Sequence, residues 1–326
     1  MNKTNRIARF LNNLIDNYSR TKKNLGHIAA LKASACFVID FITRYKYMLY
    51  IKTMRKYIYM IFEDKIADYG NYMFSPKGNE FSEKIPVWVC WLQGIDKMPE
   101  IVKICYKNMQ NKFPDFTEIK LVTMDNYSDY VSMPNYVLEK LNKGYISLTN
   151  FSDILRFMLL QEYGGLWIDS TVYVSNQVPQ KIFQQPFYSQ KTNDSFFKIR
   201  YVSESRWASW LMFVRPHSPI FDYCTPLLLY YVKNFDCFID YYVIDYLIDL
   251  AYSNNQYVRQ LIDCLEINNE GAFLLNEVIN NEFNKEKFEQ IKKDTLFNKL
   301  DWHRNLQGLT VDNKITYYEY LKSINN

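Results

Sequence analysis

Residues 163–171, with the sequence YGGLWIDST, place a carboxylate where a short apolar strand ends. Residues 166–168 are apolar and lead directly into Asp169, and Gly164 and Gly165 permit a tight turn before them. Ligands of open α/β sheets bind outside the carboxyl ends of the strands. Asp169 is therefore a candidate to hold a sugar hydroxyl, a ribose or a divalent cation. The alternative is an acid that only caps the next turn.

A second acid and a cation precede this strand on a predicted helix. Thr149 or Asn150 can cap that helix, and Asp153 complements the helix dipole in the first turn. Arg156 follows, apolar residues among 154–159 supply a buried stripe, and Gly164 ends the helix. The strand–helix–strand order predicts an α/β domain with a mostly parallel sheet.

Residues 152–156 (SDILR) and 163–169 together resemble the bacterial capsular polysaccharide synthesis proteins. These belong with the GT-A glycosyltransferases, which carry a DXD sugar-binding segment. The apolar run 85–92, followed by Gln93 and Gly94, is similar to that family's first strand, which meets the nucleotide. The resemblance covers residues 85–215, is thinner to about 305 and is absent before 80.

The resemblance implies a GT-A (Rossmann-like nucleotide-diphospho-sugar transferase) fold and transfer of a hexose from a nucleotide sugar. Asp169 and Asp240 would be the catalytic acids. The leaving nucleoside diphosphate must have its negative charge stabilised as the glycosidic bond breaks. The residues expected to bind this donor are Trp91, Gln93, Gly94, Asp153, Arg156, Gly165, Ser170, Lys299 and Arg304.

The resemblance also implies a divalent cation, Mn²⁺ or Mg²⁺, held by Asp169, Thr171 and His303. Here the sequence departs from the DXD pattern, because Thr171 stands at the position of the second acid. A hydroxyl is a poorer ligand for these ions than a carboxylate. Metal dependence is therefore left open, and residues 299–304 have an alternative interpretation as an exposed basic turn. The rarity of histidine and the absence of paired cysteines argue against zinc.

The predicted function is transfer of a hexose from a uridine diphosphate sugar, with retention, to a saccharide or lipid-linked acceptor in capsule or surface polysaccharide synthesis. A toxin-like transferase that glycosylates a protein is one alternative. A non-catalytic interaction protein on a decayed transferase fold is another, suggested by Thr171. A membrane-surface scaffold is a third, in which the basic helices are the working part.

Several further elements are predicted from apolar runs and helical spacing. Strands are expected at 85–91, 116–123, 187–190, 196–201 and 210–214. Two or three helices are expected within 218–264, a strand or loop at 296–303 and a terminal helix near 316–324. Residues 68–84 are expected to be a linker. The sequence thus predicts a helical basic extension over 1–80 and a GT-A domain over 81–326.

The amino-terminal section differs from the remainder in charge. Residues 1–60 hold 12 Lys or Arg and 2 acids, a net charge of +10, whereas the whole chain carries +4. Basic and aromatic residues on helices are typical of a segment that lies on an anionic membrane, and also of a helical hairpin packed on the main domain. No RNA-binding or helix-turn-helix pattern accompanies the charge, so nucleic acid is not an expected partner.

The expected location is the cytoplasm, with peripheral contact at the inner face of the plasma membrane through residues 1–62. The six separated cysteines are typical of a reducing compartment. Neither a signal peptide nor a membrane-spanning stretch is predicted.

Overall fold

The computed structural model describes residues 3–43, 48–70, 81, 83–193 and 201–325. Its strands are β1 (Ile85–Cys90), β2 (Thr117–Val122), β3 (Gly165–Ile168), β4 (Val172–Val174), β5 (Phe187–Ser189), β6 (Leu211–Val214) and β7 (Phe297–Lys299). Its α-helices are α1 (Lys3–Leu25), α2 (His27–Thr43), α3 (Met48–Gly70), α4 (Glu100–Met109), α5 (Asn135–Asn142), α6 (Leu148–Glu162), α7 (Lys181–Gln184), α8 (Pro219–Asn234), α9 (Val243–Asn254), α10 (Gln256–Asp263), α11 (Leu274–Val278), α12 (Lys285–Asp294) and α13 (Tyr317–Ile324).

The central sheet has five strands in the order β2-β1-β3-β6-β5. β1 pairs in parallel with both β2 and β3, whereas β6 is antiparallel to β3 and to β5. Four strands therefore run in one direction and β6 runs against them. The prediction of a mixed α/β domain is confirmed, with the sheet less uniformly parallel than the sequence suggests.

The close approach of β3 to β1 depends on Gly165. This residue has a φ of +90°, and a Cβ built on it would lie 2.3 Å from the carbonyl oxygen of Pro86. Trp88 of β1 is buried, and its indole N–H donates to the Gly164 carbonyl oxygen at 2.9 Å. β1 and β3 are buried along their whole lengths, as expected for central strands covered on both faces.

Helix α6 begins at Leu148 and is capped by Ser147, two or three residues before the caps that the sequence predicts. The Ser147 hydroxyl accepts from the Asn150 amide, and the Asn150 side chain accepts from the Ser147 amide, which forms a capping box. Thr149 is therefore not the cap, and Asn150 contributes from the third helical position. The helix carries Asp153 and Arg156 on its buried face.

A separate two-stranded ladder holds the carboxyl-terminal part of the chain against the segment after β3. β7 pairs antiparallel with β4, which places Lys299 opposite Val172. The Leu300 amide donates to the Thr171 carbonyl oxygen at 3.0 Å, and the Lys299 amide donates to Ala272 at 2.7 Å. These bonds fix Lys299 beside the residues that follow Asp169.

The amino-terminal helices contact the body mainly through α3. Met54, Ile58 and Phe62 of α3 are buried. Arg55 forms a 2.6 Å ion pair with Asp249 of α9, and the Tyr50 hydroxyl donates to Asp240 at 2.9 Å. α3 is thus integrated into the main core.

Helices α1 and α2 form a hairpin that turns at Gly26, which has a φ of +86°. Their solvent side carries seven exposed Ile or Leu side chains, which we call the hairpin surface: Ile7, Leu11, Ile15, Ile28, Leu31, Ile39 and Ile42. Within the described residues, no helix combines the length and apolar character needed to cross a bilayer.

Most of the other predicted elements are present in the described residues. Strands near 116–123, 187–190 and 210–214 are present, as are three helices within 218–264, a short strand at Phe297–Lys299 and a terminal helix capped by Thr316. The strand expected at 196–201 and most of the linker expected at 68–84 lie outside the described residues. The division into units at residue 80 stays a prediction.

Candidate functional site

A cavity of about 580 Å³ opens where β1 and β3 end. Residues 90–93 follow β1 along one wall, and residues 169–171 follow β3 along the floor. Helix α6 contributes Asp153 and Arg156, and the segment after β7 contributes residues 300–303. The cavity therefore occupies the position at the strand ends where the sequence predicts a ligand.

The Asp169 carboxylate accepts from three donors. Lys299 Nζ lies 2.6 Å from Oδ2, whereas Trp167 Nε1 and Arg156 Nη2 lie 3.0 and 3.4 Å from Oδ1. Burial by itself would raise the pKa of Asp169, but Lys299 and Arg156 outweigh it and hold the pKa below its usual range. Asp169 is consequently an ionised group in this site.

Arg156 links the two acids that the sequence singles out. Its Nη1 lies 3.1 Å from Asp153 Oδ1, and its guanidinium lies over the Trp167 ring at 4.7 Å from the centroid. Arg156 is buried, yet its Nε has no hydrogen-bond partner among the described residues. A buried donor without a partner at a cavity wall is the kind of group that a ligand satisfies.

Two buried carboxyl groups of the cavity have raised pKa values. Burial, together with the negative charges of Asp169 and Asp245, raises the pKa of Asp153 to about 7 in spite of Arg156. Burial also raises the pKa of Asp245 to about 6, against the hydrogen bond from Trp207. Two cations, Arg156 and Lys299, lie against the ionised Asp169 on the cavity floor.

Aromatic side chains form the wall at the end of β1. Trp91 and Trp302 meet edge to face, with ring centroids 5.5 Å apart, and Trp302 stacks on His303 at 3.7 Å. The indole N–H of Trp91 is buried and lacks a hydrogen-bond partner among the described residues. Flat aromatic faces with free donors suit a planar base or a sugar ring.

A smaller cavity of about 210 Å³ adjoins the first, and the two share six lining residues: Ser209, Trp210, Tyr242, Asp245, Phe273 and Lys299. Asp245 Oδ1 accepts from Trp207 Nε1 at 2.8 Å, so its carboxyl group is oriented at the junction of the two cavities. Sequence reasoning did not select Asp245 because it assigned the family's acid to Asp240. Asp245 is an acid in the first turn of a helix, a common position for an acid, so the sequence pattern gave no separate signal for it.

The structure brings together most of the residues that the sequence predicts. Those lining the larger cavity are Trp91, Gln93, Asp153, Arg156, Asp169, Ser170, Thr171, Lys299 and His303. The others lie elsewhere. Gly165 supports the sheet beneath the floor, and Gly94 lies in the turn after β1 with a φ of +85°. Arg304 donates through Nη1 to the Asn276 carbonyl oxygen.

Asp240 lies behind the cavity wall. Its carboxylate accepts from the Tyr50 hydroxyl at 2.9 Å and from the Tyr242 amide at 2.8 Å, and it is not among the lining residues. Asp245, five residues later, lines the cavity instead, and the catalytic role predicted for Asp240 stays a prediction.

The residues present do not fit a divalent cation in this arrangement. Lys299 Nζ bonds both Asp169 Oδ2 and, at 2.7 Å, Thr171 Oγ1, and so occupies the space between the two expected ligands. His303 is exposed. Within the described residues, no group of three or more His, Cys, Asp or Glu side chains is placed to hold a metal ion.

The cavity at the ends of the mixed α/β sheet thus has two cations on its floor and tryptophan side chains on its wall. The chain belongs to the family described as capsular polysaccharide synthesis protein, whose model matches residues 39–321. Among solved structures, the chain is similar to the PaToxG glycosyltransferase, with 14% identity and a TM-score of 0.33, over 74% of this chain and 94% of that one. A comparison with curated proteins found no match.

Proposed function

We propose that this chain is a GT-A glycosyltransferase of capsule or surface polysaccharide synthesis. It transfers a hexose from a uridine diphosphate sugar to a saccharide or lipid-linked acceptor. The observation that carries this proposal is the cavity at the ends of β1 and β3, where Lys299 and Arg156 converge on Asp169. Family membership supports the polysaccharide context.

The lining suggests how a nucleotide sugar is held. The base lies along the wall of Trp91 and Trp302, near the side chain of Gln93. The diphosphate lies on the floor, where the Arg156 guanidinium and the Lys299 ammonium donate to its oxygens. The hexose then extends toward Asp153 and Asp245, whose carboxyl oxygens accept hydrogen bonds from its hydroxyls.

The reaction follows from this placement. The bond between the anomeric carbon and the diphosphate oxygen breaks, and its electron pair stays on the phosphate. The acceptor hydroxyl oxygen forms a new bond to the same face of that carbon, which retains the configuration, and its proton passes to a phosphate oxygen. The two cations stabilise the charge that develops on the leaving group.

A thermal-shift screen of uridine, guanosine and cytidine diphosphate sugars tests the donor. We expect the uridine compounds to raise the melting temperature of the wild type, and Asp169→Ala to abolish sugar transfer and donor hydrolysis. Full turnover by Asp169→Ala would contradict the site. If no nucleotide shifts the melting temperature, a non-catalytic interaction protein on this fold becomes the better explanation.

Peripheral membrane contact is the second part of the proposal, and we assign it to the hairpin surface. Ile28 and Ile42 are 84% and 72% exposed, which is unusual for isoleucine, and an open apolar groove of about 520 Å³ lies between α1 and α2. Exposed Lys22, Lys23 and Lys32 lie on the same two helices. Exposed apolar side chains with lysines on the same helices are typical of a surface that binds an anionic bilayer, where a lipid-linked acceptor resides.

Replacing Ile28 and Ile42 together with Ser tests this contact. The double variant should lose most cosedimentation with vesicles that contain phosphatidylglycerol and keep its activity on a soluble acceptor. Ile267→Ser with Ile315→Ser is a matched control, because these side chains are 51% and 56% exposed outside the hairpin. Unchanged vesicle binding would contradict the assignment, and a smaller particle in gel filtration would point instead to contact between two copies.

A further inference from the structure

We propose that the Lys299 ammonium is a built-in cation that replaces the divalent metal, so that this transferase binds the diphosphate of its donor without Mn²⁺ or Mg²⁺. This inference rests on the proposed function for the identity of the ligand. The absence of a metal requirement is inferred from the geometry around Asp169.

The ammonium lies where a bridging metal would need to be. Its nitrogen is 2.6 Å from Asp169 Oδ2 and 2.7 Å from Thr171 Oγ1, the two side chains at the first and third positions of the Asp-Ser-Thr segment. A metal bound by both oxygens would have to displace Lys299. The opposite oxygen, Oδ1, is already shared by Trp167 and Arg156.

Lys299 is positioned by the backbone on both sides. The β4–β7 ladder sets it opposite Val172, and the neighbouring Leu300 amide binds the Thr171 carbonyl oxygen. Its side chain is only 22% exposed. The Lys299 ammonium is therefore held next to Asp169 and does not extend into solvent.

The ammonium keeps one donor for a ligand. An ammonium has three N–H groups, and among the described residues two of them go to Asp169 and Thr171. Lys299 lines both cavities, so the third N–H can reach a phosphate oxygen in either direction. Thr171, which stands at the position of the usual second acid, is compatible with this arrangement. Its hydroxyl accepts a hydrogen bond from the ammonium without adding a second negative charge beside Asp169.

Metal dependence is measured first on nucleotide binding. Titration calorimetry of uridine diphosphate into the wild type is carried out in EDTA and in Mn²⁺. We expect dissociation constants that agree within threefold. Lys299→Met should weaken binding at least tenfold in both buffers, and Lys292→Met, which changes a surface lysine paired with Glu289 at 3.0 Å, should leave it unchanged.

Two results would overturn the inference without touching the proposed function. One is binding or transfer that falls at least tenfold in EDTA and returns with Mn²⁺. The other is stoichiometric Mn²⁺ binding to the free wild-type protein, detected by electron paramagnetic resonance and lost in Asp169→Asn. The proposed function fails instead if uridine, guanosine and cytidine diphosphates all fail to bind in both buffers, and in that case the Mn²⁺ measurement still decides the metal question.

A variant designed to gain Mn²⁺ binding provides an independent test. Thr171→Asp combined with Lys299→Ala removes the ammonium and supplies the second acid, and should create Mn²⁺ binding that the wild type lacks. Circular dichroism confirms that the variant is folded. If the folded double variant and the wild type bind Mn²⁺ equally, the ammonium is not what excludes the metal.

Discussion

The coupling between Asp169 and Lys299 is the most direct measure of how the site is built. The two atoms lie 2.6 Å apart, and the side chains are 26% and 22% exposed, between a surface pair and a buried one. Exposed ion pairs contribute about 0.2–1 kcal/mol, and breaking a buried pair costs about 3–5 kcal/mol. Because Arg156 and Trp167 still support Asp169 after Lys299 is removed, we expect a coupling energy of about 1–3 kcal/mol.

A double-mutant cycle with Asp169→Asn and Lys299→Met, measured by urea unfolding, gives this energy. Lys292→Met with Glu289→Gln is the matched surface cycle and should give a coupling below about 1 kcal/mol. The pH dependence has a defined sign. Asp169 has a depressed pKa in the folded protein, so its stabilisation is present above the ordinary aspartate pKa and is lost as the pH falls through the folded value.

The destabilisation by Lys299→Met should therefore shrink on acidification. A coupling near zero at pH 7, or a destabilisation by Lys299→Met that is the same from pH 7 to pH 3, would refute the reasoning.

Three further predictions concern the support of the site. Gly165→Ala should cost about 2–5 kcal/mol of unfolding free energy, because the added Cβ overlaps Pro86 and the φ is +90°. The control Gly144→Ala, with nothing within 4 Å of its added Cβ, should cost about 1–2 kcal/mol. Equal losses would contradict the role of the close β1–β3 approach. In the folded protein the pKa of Asp153 is raised to about 7, so the wild type loses stability as the pH rises from the unfolded pKa through that value. The melting temperature of Asp153→Asn relative to wild type should therefore increase between pH 5 and pH 8 in a fluorescence scan. A constant difference would argue against a buried, neutral Asp153. Arg55→Ala should cost about 1–2 kcal/mol of unfolding free energy in urea, because it removes one of the two cations paired with buried Asp249. An equal cost for Lys52→Ala, a control at an exposed lysine, would contradict the contribution of the Arg55–Asp249 pair.

Local sequence patterns were sufficient to predict the strand-end acid and its helix. The apolar run into Asp169 and the helical spacing around Asp153 depend on neighbours within one or two turns, and the structure has both elements. The predicted cap, Thr149 or Asn150, lies two or three residues after the observed cap, because Ser147 and Asn150 form a reciprocal capping box and the sequence offers several adjacent residues able to cap.

The family resemblance predicts Lys299 as a donor-binding residue, but local sequence patterns could not predict its direct contact with Asp169. Asp169 and Lys299 are 130 residues apart, and their pairing depends on the β4–β7 ladder, whose three-residue strands carry almost no periodic signal. The assignment of an acid to Asp240 instead of Asp245 has a similar cause. Both are buried, and the choice between them depends on which face of the segment α3 covers.

This segment connects the amino-terminal helices with the cavity. On one side, Asp240 receives the hydroxyl of Tyr50 from α3. On the other side, Tyr242 and Asp245 line the cavity, and the Tyr242 amide donates to Asp240. A deletion of residues 1–62 would remove the Tyr50 hydroxyl and uncover the core around Phe62, so it would disturb the cavity wall along with any membrane contact. The separation of membrane binding from catalysis therefore has to be sought in α1 and α2, where side chains of the hairpin surface can be changed while α3 keeps its contacts.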